Sequence, residues 1–509
     1  MGEMSEHLVS SNLPAAAFML PLAAGALVFI GRPLGRWFWQ GVAVLGSLAT
    51  AFIGVRMVQA VLGGEVLTTW GNELRVDALS ALMVVLISCI GFLASLYSLR
   101  YIMQPTLLER VGIDVARRRL PTFYGLLLWF LGTMVWGCVT NNIIMLYVAV
   151  EATTLASGLL VAFYWDRRGL EAGYKYLMLL TIGITFALFG CVLVYAAAAA
   201  TNKLQGAAPL LISEVRNVVK LISPQTALIA VGFLIVGFGT KAGIAPFHPW
   251  LPDAHAEAPT PISVLLSGVM IKMAVYALAR TVSIFYPEWP QITLFLVALG
   301  AFTMVLGIVM AVVQDDLKRL LAYSSVSQMG YVVMGLGLGT YLGCYGGLFH
   351  LVNHAIYKAL LFMCVGAVIY ATGERRISEL GGVGKKMPIT SACFFVGALA
   401  ISGFPPLNGF MSKITVYLAT AEAGMWWATI IAIFTGVLTL VALVHTALSV
   451  FWGQPRGEKA AQPTVREVPA TMWLPMAVLA AACVVLGVFP QLAYPLLDKA
   501  AAVLATLGK

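Results

Sequence analysis

The chain has 509 residues, 60% of them hydrophobic and 10% charged, which is far more apolar residue than a soluble domain needs to fill its core. A soluble enzyme and a nucleic-acid-binding domain are thereby excluded, despite a formal net charge of +9. With about 20 apolar residues per crossing, the sequence reads as an all-α polytopic membrane protein with about fourteen transmembrane helices.

In chain order the expected spans are 13–31, 37–62, 77–99, 121–140, 142–165, 172–200, 226–250, 259–285, 291–313, 317–339, 341–371, 388–421, 425–452 and 469–490. Ahead of the first span stand Glu3 and Glu6 and no basic residue, so the N-terminus is expected to be mature sequence and not a secretory signal. The polar stretches 100–120, 201–225, 373–387 and 453–469 are connectors, and 210–221 is expected to be an ordinary extramembrane loop. Loops after odd-numbered spans carry Arg32, Arg36, Arg100, Arg110, Arg117, Arg118, Arg119, Arg167, Arg168, Lys318, Arg319, Arg375, Arg376, Lys385, Lys386, Arg456, Lys459 and Arg466. Loops after even-numbered spans carry only Arg75, Lys203, Arg216 and Lys220. The positive-inside rule puts the first set in the cytoplasm and both termini on the outer, periplasmic side.

Cys89, Cys138, Cys191, Cys344, Cys364, Cys393 and Cys483 all lie in apolar runs, with no C-x-x-C pair and no histidine at metal spacing. They are expected to be packing residues, and no cofactor or metal is expected in this chain.

Two spans are broken. GFGTKAGIAPFHPWLPDAHAEAPTP sets Lys241 in apolar sequence and then interrupts the helix with Pro246, Pro249 and Pro252. A lysine at a helix centre costs roughly 2.5–3.5 kcal/mol on insertion scales, and freed backbone groups find no partner in lipid. Both are tolerable where the segment lines a wet path inside a bundle. ISGFPPLNGFMSKITVYL repeats the combination with Gly403, Pro405, Pro406, Gly409 and Lys413, five spans later. An odd offset inverts one copy relative to the other, as in transporter repeats; two unrelated proline kinks are the alternative. The expected units are residues 1–120 (spans one to three), 121–285 and 286–452 (two inverted five-helix repeats), and 453–509 (the last span and tail).

The intramembrane ionisable residues are Glu151, Lys175, Lys241, Lys272, His350, His354, Lys358 and Lys413. Positions 350, 354 and 358 share one helical face. Burial favours a neutral lysine and a nearby carboxylate favours a charged one, so Glu151 and a lysine are expected to form a proton-releasing switch, and the histidines to relay. Lys175 and Lys358 are the two most open to a snorkelling or purely structural role. His248, Asp253, His255 and Glu257 form a hinge or channel mouth in preference to a metal site, and Asp316 is expected to pair with Lys318 or Arg319.

These motifs resemble the antiporter-like membrane subunits shared by respiratory complex I, the energy-converting membrane hydrogenases and the multisubunit sodium/proton antiporters. The resemblance covers about residues 70–450 and rests on KAGIAPFHPWLPDAHAEAPTPISVLLSG, QDDLKRLLAYSSVSQMGY, HLVNHAIYKALLF and GFPPLNGFMSK. VEATTL around Glu151 and LEAGYKY around Lys175 look most like hydrogenase-4 component F. The resemblance implies a proton relay through Glu151, Lys175, Lys241, Lys272, His350, His354 and Lys413. It also implies integral antiporter-like and small membrane subunits as partners, in a bacterial inner membrane, with peripheral redox subunits holding iron–sulfur and NiFe or other redox centres. Lys413 departs from the glutamate typical of the M-type complex I subunit, and the chain stops without the long lateral helix of the L-type. The expected function is a proton-translocating subunit of a group 4 hydrogenase or complex I-like assembly. A sodium/proton antiporter subunit and an energy-coupling subunit for inorganic-carbon uptake are the alternatives.

Overall fold

A computed structural model describes residues 7–104 and 112–505; Glu3, Glu6 and Arg110, used above, lie outside them. The helices are α1 (Leu13–Ile30), α2 (Arg36–Leu62), α3 (Ala78–Tyr101), α4 (Ile113–Val139), α5 (Ile143–Val161), α6 (Arg167–Ala200), α7 (Ile212–Val218), α8 (Pro224–Ala242) and α9 (Trp250–Glu257). They continue as α10 (Thr260–Phe285), α11 (Gln291–Val312), α12 (Leu317–Gly337), α13 (Tyr341–Thr372), α14 (Pro388–Ser402), α15 (Asn408–Glu422), α16 (Trp426–Phe451), α17 (Ala470–Val488) and α18 (Tyr494–Leu504).

Among the described residues, twelve of these are long and apolar enough to cross a membrane. α12 and the α14–α15 pair complete the fourteen expected crossings. α12 falls short on hydropathy because it carries Lys318, Arg319, Ser324, Ser325, Ser327 and Gln328. Ser324, Ser325, Ser327 and Gln328 point inward and are fully buried. The outer faces are apolar instead: Met178, Ile182, Phe186 and Phe189 on α6, and Ile430, Phe434, Val437 and Val441 on α16, are exposed, as lipid-facing side chains must be.

Helix starts follow from capping chemistry. Asp77, Asn142, Asp166, Ser223, Asp316 and Thr340 each accept from a backbone amide in the first turn of the helix that follows. α8 and α14 both end on a left-handed glycine, Gly243 (φ 71°) and Gly403 (φ 80°). Three residues after each glycine comes a cis prolyl bond, Ala245–Pro246 and Pro405–Pro406. The breaks therefore match in backbone, but Lys241 precedes its glycine whereas Lys413 follows its own and lies on the second half-helix.

Two connectors differ from expectation. Residues 210–221 hold α7 and a short 3-10 turn, because Ile212, Val215, Val218 and Val219 form an apolar face that is buried. Asn141 ties its start down, accepting from the Ile212 amide (2.8 Å) and the Ser213 amide (3.2 Å). A small sheet also forms from β1 (His7–Ser10), β2 (Glu65–Thr69) and β3 (Leu74–Val76), with β1–β2 parallel and β2–β3 antiparallel.

Candidate functional site

The break after α8 puts Lys241 in the last turn of a helix whose neighbours are α5 and α6. Its ammonium is fully buried and donates to Thr154 Oγ1 (2.5 Å) and the Val150 carbonyl (3.3 Å) on α5. Glu151 stands one residue from that carbonyl, yet no ion pair joins them. Its Oε1 accepts from Thr181 (3.1 Å) and its Oε2 has no partner. Lys241 of α8 and Glu151 of α5 thus meet at the same stretch of α5 without an ion pair between them. Beyond Thr154, Ser157 Oγ shares a hydrogen bond with Tyr176 (2.5 Å), whose hydroxyl reaches Met270 Sδ at 3.2 Å.

Met270 closes a π turn, Leu266–Met270, inside α10. A π turn displaces the regular i→i−4 ladder, and Lys272 uses the result: its buried ammonium donates to the Ser267 carbonyl. Ser267 Oγ in turn shares a hydrogen bond with Ser325 Oγ on α12 (2.8 Å). Ser325 donates to the Leu321 carbonyl (2.8 Å), and the same carbonyl accepts from Lys358 of α13 (2.7 Å). Lys358 also donates to Ser324 (2.6 Å). Lys272 and Lys358 are in this way joined across α12.

Along α13 the line continues. His354 is fully buried with neither ring nitrogen partnered, and it lies parallel to His350 at 6.3 Å between centroids. His350 bonds Gln328 through Nε2 (3.1 Å) and Ser412 through Nδ1 (3.0 Å). Ser412 precedes Lys413, whose ammonium donates to the Ser402 carbonyl at the end of α14 (3.2 Å) and lies 5.0 Å from the Tyr331 ring centre. The break after α14 frees that carbonyl, as the break after α8 frees the backbone near Lys241.

The two lysines read as open to a snorkelling or structural role lie in opposite surroundings. Lys358, read as open to snorkelling, is fully buried at mid-helix. Lys175 is half-exposed and pairs with Glu171 (2.7 Å) and, at 3.7 Å, with Asp253. It belongs to an arginine-rich rim in which Arg319 holds Asp253 (2.7 Å) and Arg375 holds Glu257 (3.3 Å) and Asp316 (2.8 Å). Asp316 therefore pairs with Arg375 and accepts from the backbone amides of Lys318 and Arg319, as the cap of α12. In the same rim Glu374 is buried enough to raise its pKa, but the Arg375 and Arg376 amides and Lys459 outweigh this and hold it below the usual carboxylate range.

Sequence reasoning missed Thr154, Ser157, Tyr176, Ser267, Ser324, Ser325, Gln328 and Ser412. Among the described residues no group of three His, Cys, Asp or Glu side chains is placed to hold a metal ion.

A bundle with two broken helices and a line of buried bases through its middle defines a polytopic, antiporter-like membrane protein. Residues 140–439 match the family described as NADH:quinone oxidoreductase/Mrp antiporter, transmembrane, and residues 70–105 match the complex I chain 5 N-terminus. The chain belongs to this family. It is 33% identical to NADH-quinone oxidoreductase subunit N of Desulforudis audaxviator, over 95% of this chain and 97% of that one. Identity is also 33% to a hydrogenase-4 component F homolog of Methylacidiphilum infernorum, over 77% and 81%. A chain of the membrane-bound sulfane sulfur reductase, an archaeal respiratory membrane complex, superposes with a TM-score of 0.85 at 26% identity, covering 97% of this chain and 98% of that one.

Proposed function

We propose that the chain is the proton-translocating, antiporter-like subunit of a membrane-bound redox complex of the group 4 hydrogenase or complex I-like kind. Protons pass between Glu151 and Lys241, then Lys272 and Lys358, then His354, His350 and Lys413. The observation that carries this reading is the buried cluster in which Lys272 donates to the Ser267 carbonyl, the Ser267 and Ser325 hydroxyls share a hydrogen bond, and Ser325 and Lys358 donate to one Leu321 carbonyl, which gathers the lysine that follows the first break and the lysine of α13 around the same polar groups of α12. Residues 121–285 and 286–452 are then two inverted units, each with one broken helix, supported by the left-handed glycines that end α8 and α14. The partners are other antiporter-like and small membrane subunits, with redox centres in peripheral subunits. The hydrogenase-4 type is supported by the VEATTL and LEAGYKY motifs and by the component F relative.

The chemistry of the line favours protons over sodium. A hard cation needs a cluster of oxygen ligands, whereas these residues are amines and imidazoles with Glu151 as their one carboxylate. The arginine-rich rim faces the cytoplasm by the positive-inside rule. In the assembled complex, reconstituted in vesicles, Lys241→Ala is expected to abolish proton pumping; pumping at the wild-type rate would refute the assignment.

A further inference from the structure

Glu151, at the head of the line, is half-buried, but Lys272 and Lys358 are fully buried, and the charged rim beside them is tied up in ion pairs. A further buried titratable group stands at the inner edge of that rim. His255, in the last turn of α9, is fully buried, and its ring lies against Phe362 of α13 at 4.7 Å between centroids and 21° between planes. Neither of its nitrogens has a hydrogen-bond partner. A neutral imidazole carries one donor and one acceptor, and leaving both unpaired costs about 1–3 kcal/mol each. A phenyl ring would pack there without that penalty, so packing alone does not account for an imidazole.

Its surroundings are directional. On the rim side, Arg375 donates to the Ala256 carbonyl (2.9 Å) and Lys318 to the Ala258 carbonyl (2.7 Å), satisfying the end of α9. Glu257, two residues on, is held by Arg375. On the inner side, the ring lies on Phe362, which stands one helical turn beyond Lys358 on the same face of α13. His255 is thus the group that faces both the rim and the Lys272–Lys358 bridge.

We propose that His255 is the proton-loading residue of this chain, delivering protons from the arginine-rich face to the Lys272–Lys358 bridge. The imidazole takes a proton on one nitrogen and releases one from the other to a lysine amine. Exchange of tautomers restores the starting ring, with no net change in bonds or electrons. This inference rests on the proton-translocating reading above.

The test compares wild type, His255→Phe, His255→Ala and Lys241→Ala in the complex purified with this chain and reconstituted in vesicles. Assembly, thermal stability and proton flux are measured for each. His255→Phe keeps the ring stack and removes the unpaired nitrogens; it is expected to assemble with unreduced stability and to lose flux. His255→Ala is expected to lose flux and to regain part of it when imidazole is added. Wild-type flux in His255→Phe, with Lys241→Ala inactive, would overturn the proposal and leave the buried line standing; wild-type flux in both would overturn the line as well. A measurement without substitutions decides the matter if the variants fail to assemble. In deuterated buffer the C2 hydrogen of His255 is expected to exchange, and no exchange there while half-buried His248 exchanges would overturn the proposal.

Discussion

Lys272 on α10 and Lys358 on α13 end on neighbouring groups: Lys272 donates to the Ser267 carbonyl, the Ser267 hydroxyl shares a hydrogen bond with Ser325, and Ser325 and Lys358 donate to the same Leu321 carbonyl. Buried amines without carboxylate partners are held here by carbonyl and hydroxyl oxygens alone. Such oxygens accept from a charged or a neutral amine with little rearrangement, so either lysine can change protonation state without breaking the packing around it.

The serine pair is the weakest point of that bridge. Ser325→Ala removes one hydroxyl, a loss of about 1 kcal/mol of stability, and interrupts the connection while keeping both lysines. The expected outcome is a complex that assembles normally, with a small drop in thermal midpoint and a large drop in proton flux. Equal flux in Ser325→Ala and wild type would mean the protons take another course.

Lys175 and Lys241 provide a contrast within one measurement. Lys175 is half-exposed in an i,i+4 pair with Glu171, where solvent screening leaves little net stabilisation. Lys175→Ala is expected to leave proton flux and assembly near wild type, whereas Lys241→Ala stops flux. Loss of flux in Lys175→Ala would place the rim inside the conducting path.

Much of this was legible from sequence, for physical reasons. Membrane spans announce themselves by length and apolarity, and the breaks by proline and glycine at positions where lipid forbids open backbone. Lysines and histidines in such segments stand out because each is expensive there. Hydroxyls do not stand out. Ser88 and Ser95 simply donate back to the carbonyl four residues earlier, and nothing in the local sequence distinguishes them from Ser267 and Ser325. Position along a helix also fails to report which face looks outward, so Lys175 and Lys358 were judged alike and lie in opposite surroundings. The three-stranded sheet went unread because its strands of three to five residues sit in connectors.

The second break depends on close backbone approach. A Cβ built on Gly409 would stand 1.8 Å from the Ala400 carbonyl oxygen, and one on Gly487 2.1 Å from that of Pro406. Overpacking of this kind typically costs about 1–3 kcal/mol. Gly409→Ala is expected to lower the thermal midpoint of the complex and, by moving α15 against α14, to impair flux through Lys413. An unchanged midpoint would show that the break has room to adjust.

Asp77 and Arg280 give the chain a pH-dependent tie away from the relay. Arg280 donates from both terminal nitrogens to the two carboxylate oxygens (2.5 and 2.6 Å) and also reaches Ser80 (2.9 Å) and Tyr276 (3.3 Å), fastening α10 to the start of α3. Burial raises the Asp77 pKa, but the charge and hydrogen bonds of Arg280 and the Ser80 amide outweigh it, leaving the folded value below 3.8. A folded pKa below the unfolded one means that the stabilisation is fully present above the unfolded value and is lost as pH falls through the folded one. The wild-type complex is therefore expected to lose stability below about pH 4. Asp77→Asn strands a buried guanidinium, a loss of about 3–5 kcal/mol at neutral pH, and its stability is expected to vary less across the acid window. Thermal unfolding between pH 3 and 7 checks both, and parallel curves for the two proteins would show that Asp77 contributes nothing to acid sensitivity.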